Sequence, residues 1–168
     1  HRGLHGRGIP ENSLAAFTAA RERSFGMELD VRFTSDKKVV VFHDDDLKRL
    51  CGAELPVKAV CWEDLKKYRL LGTQEGIPLF EDVLKALGGM PVICEIKSLP
   101  GEDVKELCEQ VCRLIKSYSG FICIESFNPY VVQWFAKNRP DIIRGQLSMN
   151  FLKAKEGLSG IQAFAMTH

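Results

Sequence analysis

A chain of 168 residues with 45% hydrophobic side chains carries enough apolar material for a single domain, residues 1–168, with a substantial core. Its 23 Lys and Arg against 22 Asp and Glu leave a formal charge of +1, which excludes a broad field for gathering nucleic acid or anionic membrane and makes any anion site local. The longest apolar runs, VVVF at 39–42 and GFICI at 120–124, fall far short of the roughly 20 residues that cross a bilayer, which argues against stable membrane insertion.

In chain order, PENSLAAFTAARERS at 10–24 opens on Pro, Asn and Ser and carries Leu14, Phe17 and Ala20 at helical spacing, so a helix is expected. FGMELDVRFT at 25–34 and the β-branched KKVVVFHD at 37–44 read as strands. WEDLKKYRLL at 62–71 and LFEDVLKALGG at 79–89 read as helices, the second stopped by its glycine pair. PVICEIKS at 91–98 follows as strand, GEDVKELCEQVCRLIKSY at 101–118 as a long amphipathic helix and GFICIESF at 120–127 as strand. NPYVVQWFAKNRP at 128–140 is then a helix and DIIRGQLS at 141–148 a strand. Such alternation predicts an α/β fold with a parallel sheet covered by helices, either doubly wound or a (β/α) barrel. Six scattered cysteines without a C-x-x-C pair suit reduced, packed thiols of a cytoplasmic protein, although a chain beginning on His rather than Met is also compatible with a removed signal peptide.

The polar residues on the strands favour the barrel. Glu28 and Asp30 are two apart in MELDV and share a face, while Met27, Leu29 and Val31 take the other. Glu95 and Lys97 repeat the arrangement, and His43 stands at the C-terminal end of VVVFHD. Charge recurring near the C-terminal ends of several strands is where barrel enzymes assemble their chemistry.

Glu28, Asp30 and Glu95 would bring three carboxylates together, and three such charges in a low-dielectric pocket call for a cation. All-oxygen ligation favours Mg²⁺, Ca²⁺ or Mn²⁺ over zinc. The alternative is a set of structural ion pairs with Lys97, Arg32 or another base. His1 and His43 form the second candidate pair: one imidazole can accept a proton while the other donates one, the alternative being ordinary surface or core histidines. The acidic run Asp44, Asp45 and Asp46 reads as a solvated loop in which Asp44 has the option of orienting His43.

The motifs HRG, PENS, ELDV, VVVFHD, CEIK and ESFN resemble, in order and approximate spacing, the glycerophosphodiester phosphodiesterase family of phospholipase C-like phosphodiesterases, over residues 1 to about 148. The resemblance implies a (β/α)8 TIM barrel that hydrolyses glycerophosphodiesters to glycerol 3-phosphate and an alcohol with a divalent cation, Mg²⁺ or Ca²⁺. It implies His1 and His43 as the acid/base pair and Glu28, Asp30 and Glu95 as metal ligands. Arg2 and Lys97 take the place of phosphate-neutralising bases. Glu11 and Asn12 match the family's E-N motif, with plain helix capping an equal alternative for Asn12 and Ser13. Phe127 is either a wall on the glycerol side or a packing residue. The implied route is attack by a glycerol hydroxyl on its own phosphorus, closure to a cyclic phosphate and ring opening by water, the two histidines exchanging roles.

By the same resemblance, His1 to Gly3 would be the tail of the first barrel strand. About six of the eight strands of a barrel are then countable, most of the first and the seventh and eighth being absent, so the chain as given reads as incomplete at both ends, with a homodimer one way to cover its open edges. Rival readings are a lysophospholipase D or phospholipase C-like enzyme acting on membrane lipids, and a noncatalytic barrel that only binds.

Overall fold

The computed structural model describes residues 1–98, 103–149 and 162–166. Helix α1 (Leu14–Glu22) starts at Ser13, whose Oγ accepts the Ala16 amide at 3.1 Å, and it buries Ala16, Phe17 and Ala20. Strand β1 (Met27–Phe33) leads through a short turn into β2 (Val39–Val41). Short helices α2 (Lys48–Cys51) and α3 (Trp62–Leu65) precede α4 (Phe80–Leu87) and β3 (Val92–Ile96). Helix α5 (Lys105–Ile115), β4 (Ile122–Ser126), α6 (Pro129–Asn138), β5 (Ile143–Met149) and β6 (Gln162–Met166) follow.

The strands form one sheet in the order β2-β1-β3-β4-β5-β6. Its centre, β1-β3-β4-β5, is parallel and runs in chain order with no reversal. A doubly wound sheet reverses its order so that helices cover both faces; a sequential one keeps them on one side and turns the other inward, so this is part of a (β/α) barrel. Phe17, Phe80 and Phe135 from the helices are fully buried with Leu29, Val31, Cys94, Ile96 and Ile124 from the strands, each aromatic burial contributing about 1.5–3 kcal/mol. Glu28, Asp30, Glu95 and Glu125 alternate with these residues and take the inner face. A separate apolar cluster gathers Val40, Phe42, Leu47, Leu50, Val57, Leu65, Leu70 and Ile77 from the segment between β1 and α4.

Four expectations are corrected. VVVFHD is not a parallel strand: β2 pairs antiparallel with β1, Val31 facing Val41, because residues 34–38 are too few for the dozen or more that a parallel return requires. Residues 1–3 carry no strand; Arg2 and Gly3 have φ of +54° and +74°, and the Arg2 amide donates to a Glu28 carboxylate rather than to a ladder. WEDLKKYRLL breaks after Leu65 into a separate 3₁₀ turn at Leu70–Gly72, because both leucines are buried in one cluster while a continuous helix would set them ~140° apart. The helix expected from 101 is observed from Lys105, its first expected residues lying outside those described. The sixth strand, β6, runs antiparallel to β5, Gly145 facing Met166.

Candidate active site

The strand register aligns Asp30, Glu95 and Glu125 in one row across three adjacent parallel strands, with Glu28 two residues before Asp30. One ligand atom from each of Glu28, Asp30 and Glu95 lies within 4.8 Å of the others. Asp30 is fully buried and Glu95 nearly so. Burial, and then the charge of Asp30, pushes the Glu28 carboxyl above the ordinary carboxylate range. Burial also raises Glu95 against the pull of Lys97, and burial with the surrounding acids raises Glu125 to about 7. Glu125 was not among the expected site residues; its signal lay in aligning CEI with IES, two strands with one inward acid at the same height.

The polar groups facing this cluster come from two directions. Lys97 Nζ lies 2.6 Å from Glu95 Oε1 and 3.1 Å from Asp30 Oδ1. Asn12 Nδ2 donates to Asp30 Oδ2 at 2.8 Å, and Arg2 Nε stands 3.5 Å from the same oxygen. His1 Nδ1 lies 2.7 Å from Glu28 Oε2, with a largely exposed ring. The structural ion pair with Lys97 is therefore present, whereas Arg32 is directed elsewhere.

These residues fit a hard divalent ion. Asp30 Oδ1, Glu125 Oε2 and the side-chain oxygen of Asn12 are buried without a hydrogen-bond partner, Lys97 approaching Asp30 Oδ1 as a charge only. With Glu28, Asp30 and Glu95 within ligand distance of one another, these unbonded oxygens complete an oxygen-only donor set that suits Mg²⁺ or Ca²⁺, although Lys97 already offsets part of its charge.

The expected alternatives for Asn12 and Ser13 separate cleanly. Ser13 caps α1, while Asn12, at φ +53°, stands before the cap and turns its amide to Asp30. Gly3 lets the N-terminal segment pack directly on α1: a Cβ there would lie 2.9 Å from Ala16, at a φ that only glycine adopts freely.

His43 sits two residues beyond β2. Its Nδ1 donates to Asp44 Oδ1 at 2.7 Å, and Arg32 holds the loop by donating to the carbonyls of Phe42 (3.1 Å) and His43 (2.6 Å). Burial alone would raise the Asp44 carboxyl, but hydrogen bonds from Arg49 and His43 bring it down to about 2. Arg49 joins Asp44 to Glu11, which also accepts from Arg2 at 2.9 Å. The acidic run divides as expected: Asp45 and Asp46 are exposed, the first pairing with Arg32 and the second accepting the Lys48 amide, while the half-buried Asp44 holds His43.

One network thus connects His43, Asp44, Arg49, Glu11, Arg2, Asp30, Lys97 and Glu95. Phe127 follows β4 at the same end of the sheet but is 41% exposed, and its carbonyl accepts from Gln146 Nε2 at 3.2 Å. A cleft of about 620 Å³ reaches the cluster at Lys97, walled by Arg32, Phe33, Asp46 and Leu107, and an apolar one of about 400 Å³ reaches it at His1 and Glu28. Among the described residues, no helix is long and apolar enough to cross a membrane. All six cysteines are free.

Comparison with known proteins places this geometry. The model of the glycerophosphoryl diester phosphodiesterase family matches residues 1–158. A glycerophosphodiester phosphodiesterase of Caldanaerobacter subterraneus is 33% identical over 164 residues, covering 88% of this chain and 64% of its own. A lysophospholipase D of Homo sapiens is 31% identical over 132 residues, covering 71% and 40%. The solved structure of an Oleispira antarctica phosphodiesterase in complex with the product sn-glycerol-3-phosphate superposes with a TM-score of 0.78 at 26% identity, covering 86% of this chain and 62% of that one. The chain therefore spans from 40% to 64% of the length of these three proteins.

Proposed function

The chain belongs to the glycerophosphoryl diester phosphodiesterase family, and on that premise we propose that it carries the catalytic side of a metal-dependent hydrolase that cleaves glycerophosphodiesters to glycerol 3-phosphate and an alcohol. The observation that carries the reading is the convergence of Glu28, Asp30 and Glu95 around Lys97 and Arg2, linked through Glu11 and Arg49 to the Asp44-held His43. Glu28, Asp30 and Glu95 would hold Mg²⁺, Ca²⁺ or Mn²⁺, which when bound supplies Lewis acidity and neutralises charge near the phosphorus.

The chain's own groups do the rest. Asp44 on Nδ1 leaves His43 Nε2 to take a proton from the attacking glycerol hydroxyl. His1, exposed beside Glu28, is placed to return a proton to the leaving oxygen. Arg2 and Lys97 offset the charge that grows on the phosphate oxygens, and Asn12 fixes Asp30. In the second half the roles reverse: His1, now neutral, takes the proton of the attacking water while His43 gives its proton to the departing ring oxygen, and the cyclic phosphate opens to glycerol 3-phosphate. Phe127 walls the substrate at the barrel mouth. The six free cysteines support a reducing, cytoplasmic setting.

The test is phosphorus NMR of glycerophosphocholine with the chain in Mg²⁺ or Ca²⁺ and then in excess EDTA, with His43→Ala as control. Glycerol 3-phosphate should accumulate with metal, stop with EDTA and fall at least ~100-fold in the variant. Turnover that persists in excess EDTA or in His43→Ala would overturn the metal-dependent, histidine-assisted reading. Because one relative bears the name lysophospholipase D, lysophosphatidylcholine is the second arm, and turnover there alone would move the substrate to lysolipids.

A further inference from the structure

We propose that Arg49 is a positioning residue for proton transfer: it locks Asp44 against His43 and ties that pair to Glu11 and Arg2, so that one guanidinium sets the geometry on both sides of the site. The inference rests on reading His43 as an acid/base residue. Arg49 lies on α2, whose Leu50 is buried in the apolar cluster between β1 and α4. From there its fork reaches two carboxylates at once. Nε and Nη2 donate to Asp44 at 2.7 and 3.0 Å, and Nη2 and Nη1 donate to Glu11 at 2.7 and 3.0 Å. A lysine would bring the charge without the planar fork that engages both.

The consequence falls on His43. A neutral imidazole has one N–H, and an unconstrained ring in water favours the Nε2–H form. A carboxylate fixed on Nδ1 selects the Nδ1–H form instead and leaves the Nε2 lone pair to accept a proton. Asp44 can impose this only if it is itself held, and Arg49 holds both of its oxygens. The charged groups around His43 are Asp44 beside it, Arg49 from α2 with Glu11 behind it, and Arg32 from β1, which holds the His43 carbonyl and Asp45. Removing Arg49 frees Asp44 to turn to water and leaves Glu11 with Arg2.

The experiment reads the His43 ring directly. In the ¹⁵N-labelled chain above its titration, the ring shifts should report the Nδ1–H tautomer. In Arg49→Met the Nε2–H form should become the major one, Asp44→Asn should do the same, and Arg49→Lys should recover the Nδ1–H population only in part. With glycerophosphocholine as substrate, kcat should fall ~10–100-fold in Arg49→Met with KM within about twofold. Arg49→Met/Asp44→Asn should be no worse than the more damaging single variant, because both act through one bond. A His43 tautomer unchanged in a folded Arg49→Met protein would reduce Arg49 to a structural ion pair. If that variant does not fold, the Arg49→Lys spectrum decides in its place, a fully retained Nδ1–H form overturning the proposal. A tautomer that switches in Arg49→Met while His43→Ala leaves turnover unchanged would keep the positioning intact and sink the acid/base reading of His43 instead.

Discussion

At the scale of single residues, Asn12 and Ser13 show what two adjacent polar side chains can do when only one is a cap. Ser13 supplies the helix start, so Ser13→Ala should cost about 1 kcal/mol in urea unfolding and leave cation affinity unchanged. Asn12 is buried and donates to a fully buried carboxylate, so Asn12→Ala should weaken Mg²⁺ or Ca²⁺ binding by at least ~10-fold in calorimetry. Equal effects of the two substitutions on affinity would contradict that division. The carboxylates Glu28, Asp30 and Glu95 were legible beforehand because strand periodicity of two assigns faces without any tertiary knowledge. Arg49 was not: it lies in DDDLKRL, where charges of both signs crowd a turn and no periodicity says which of them turns inward. Glu125 was hidden for a different reason, since a single acid on a strand acquires meaning only from the register with its neighbours.

Among the elements, the β1–β2 hairpin decides where His43 stands. The extended pattern of 25–34 and the β-branched run at 39–41 identified the two strands, but their relative direction depended on the length of the connection, which the strand–helix alternation obscured. Once β2 folds back on β1, the His43 loop is held from β1 itself by Arg32, whose guanidinium reaches the carbonyls of Phe42 and His43 and the exposed carboxylate of Asp45. Replacing Arg32 by Met keeps much of the aliphatic stem and removes the donors. It should accelerate amide exchange across 42–46 and destabilise the chain by about 1–3 kcal/mol, because two partly buried carbonyls lose their donors. Unchanged exchange in that segment would show that the hairpin turn alone holds the loop.

For the molecule as a whole, the parallel centre and its helix-covered face could be derived from alternation and amphipathic spacing, while the inward-facing acids set a cost that appears only when the strands are assembled. Glu28, Glu95 and Glu125 all have carboxyls raised by burial, Glu125 to about 7. A group raised in the folded state favours folding while protonated, so its contribution is full below the unfolded value of ~4.3 and is lost as pH rises through the folded one. Asp44 works in the opposite sense: lowered to about 2, it stabilises above ~3.9 and that stability fades as pH falls towards 2. Together they place the stability maximum of the metal-free chain on the acidic side of neutrality, with a decline towards alkaline pH driven by the inner carboxylates. A divalent cation interacts with those same carboxylates only when they are ionised, so its stabilisation should grow with pH. Thermal unfolding in EDTA should give a lower Tm at pH 8 than at pH 5.5, and saturating Mg²⁺ or Ca²⁺ should raise Tm more at pH 8 than at pH 5.5. An equal gain at both pH values would mean that the cation binds elsewhere than at these acids.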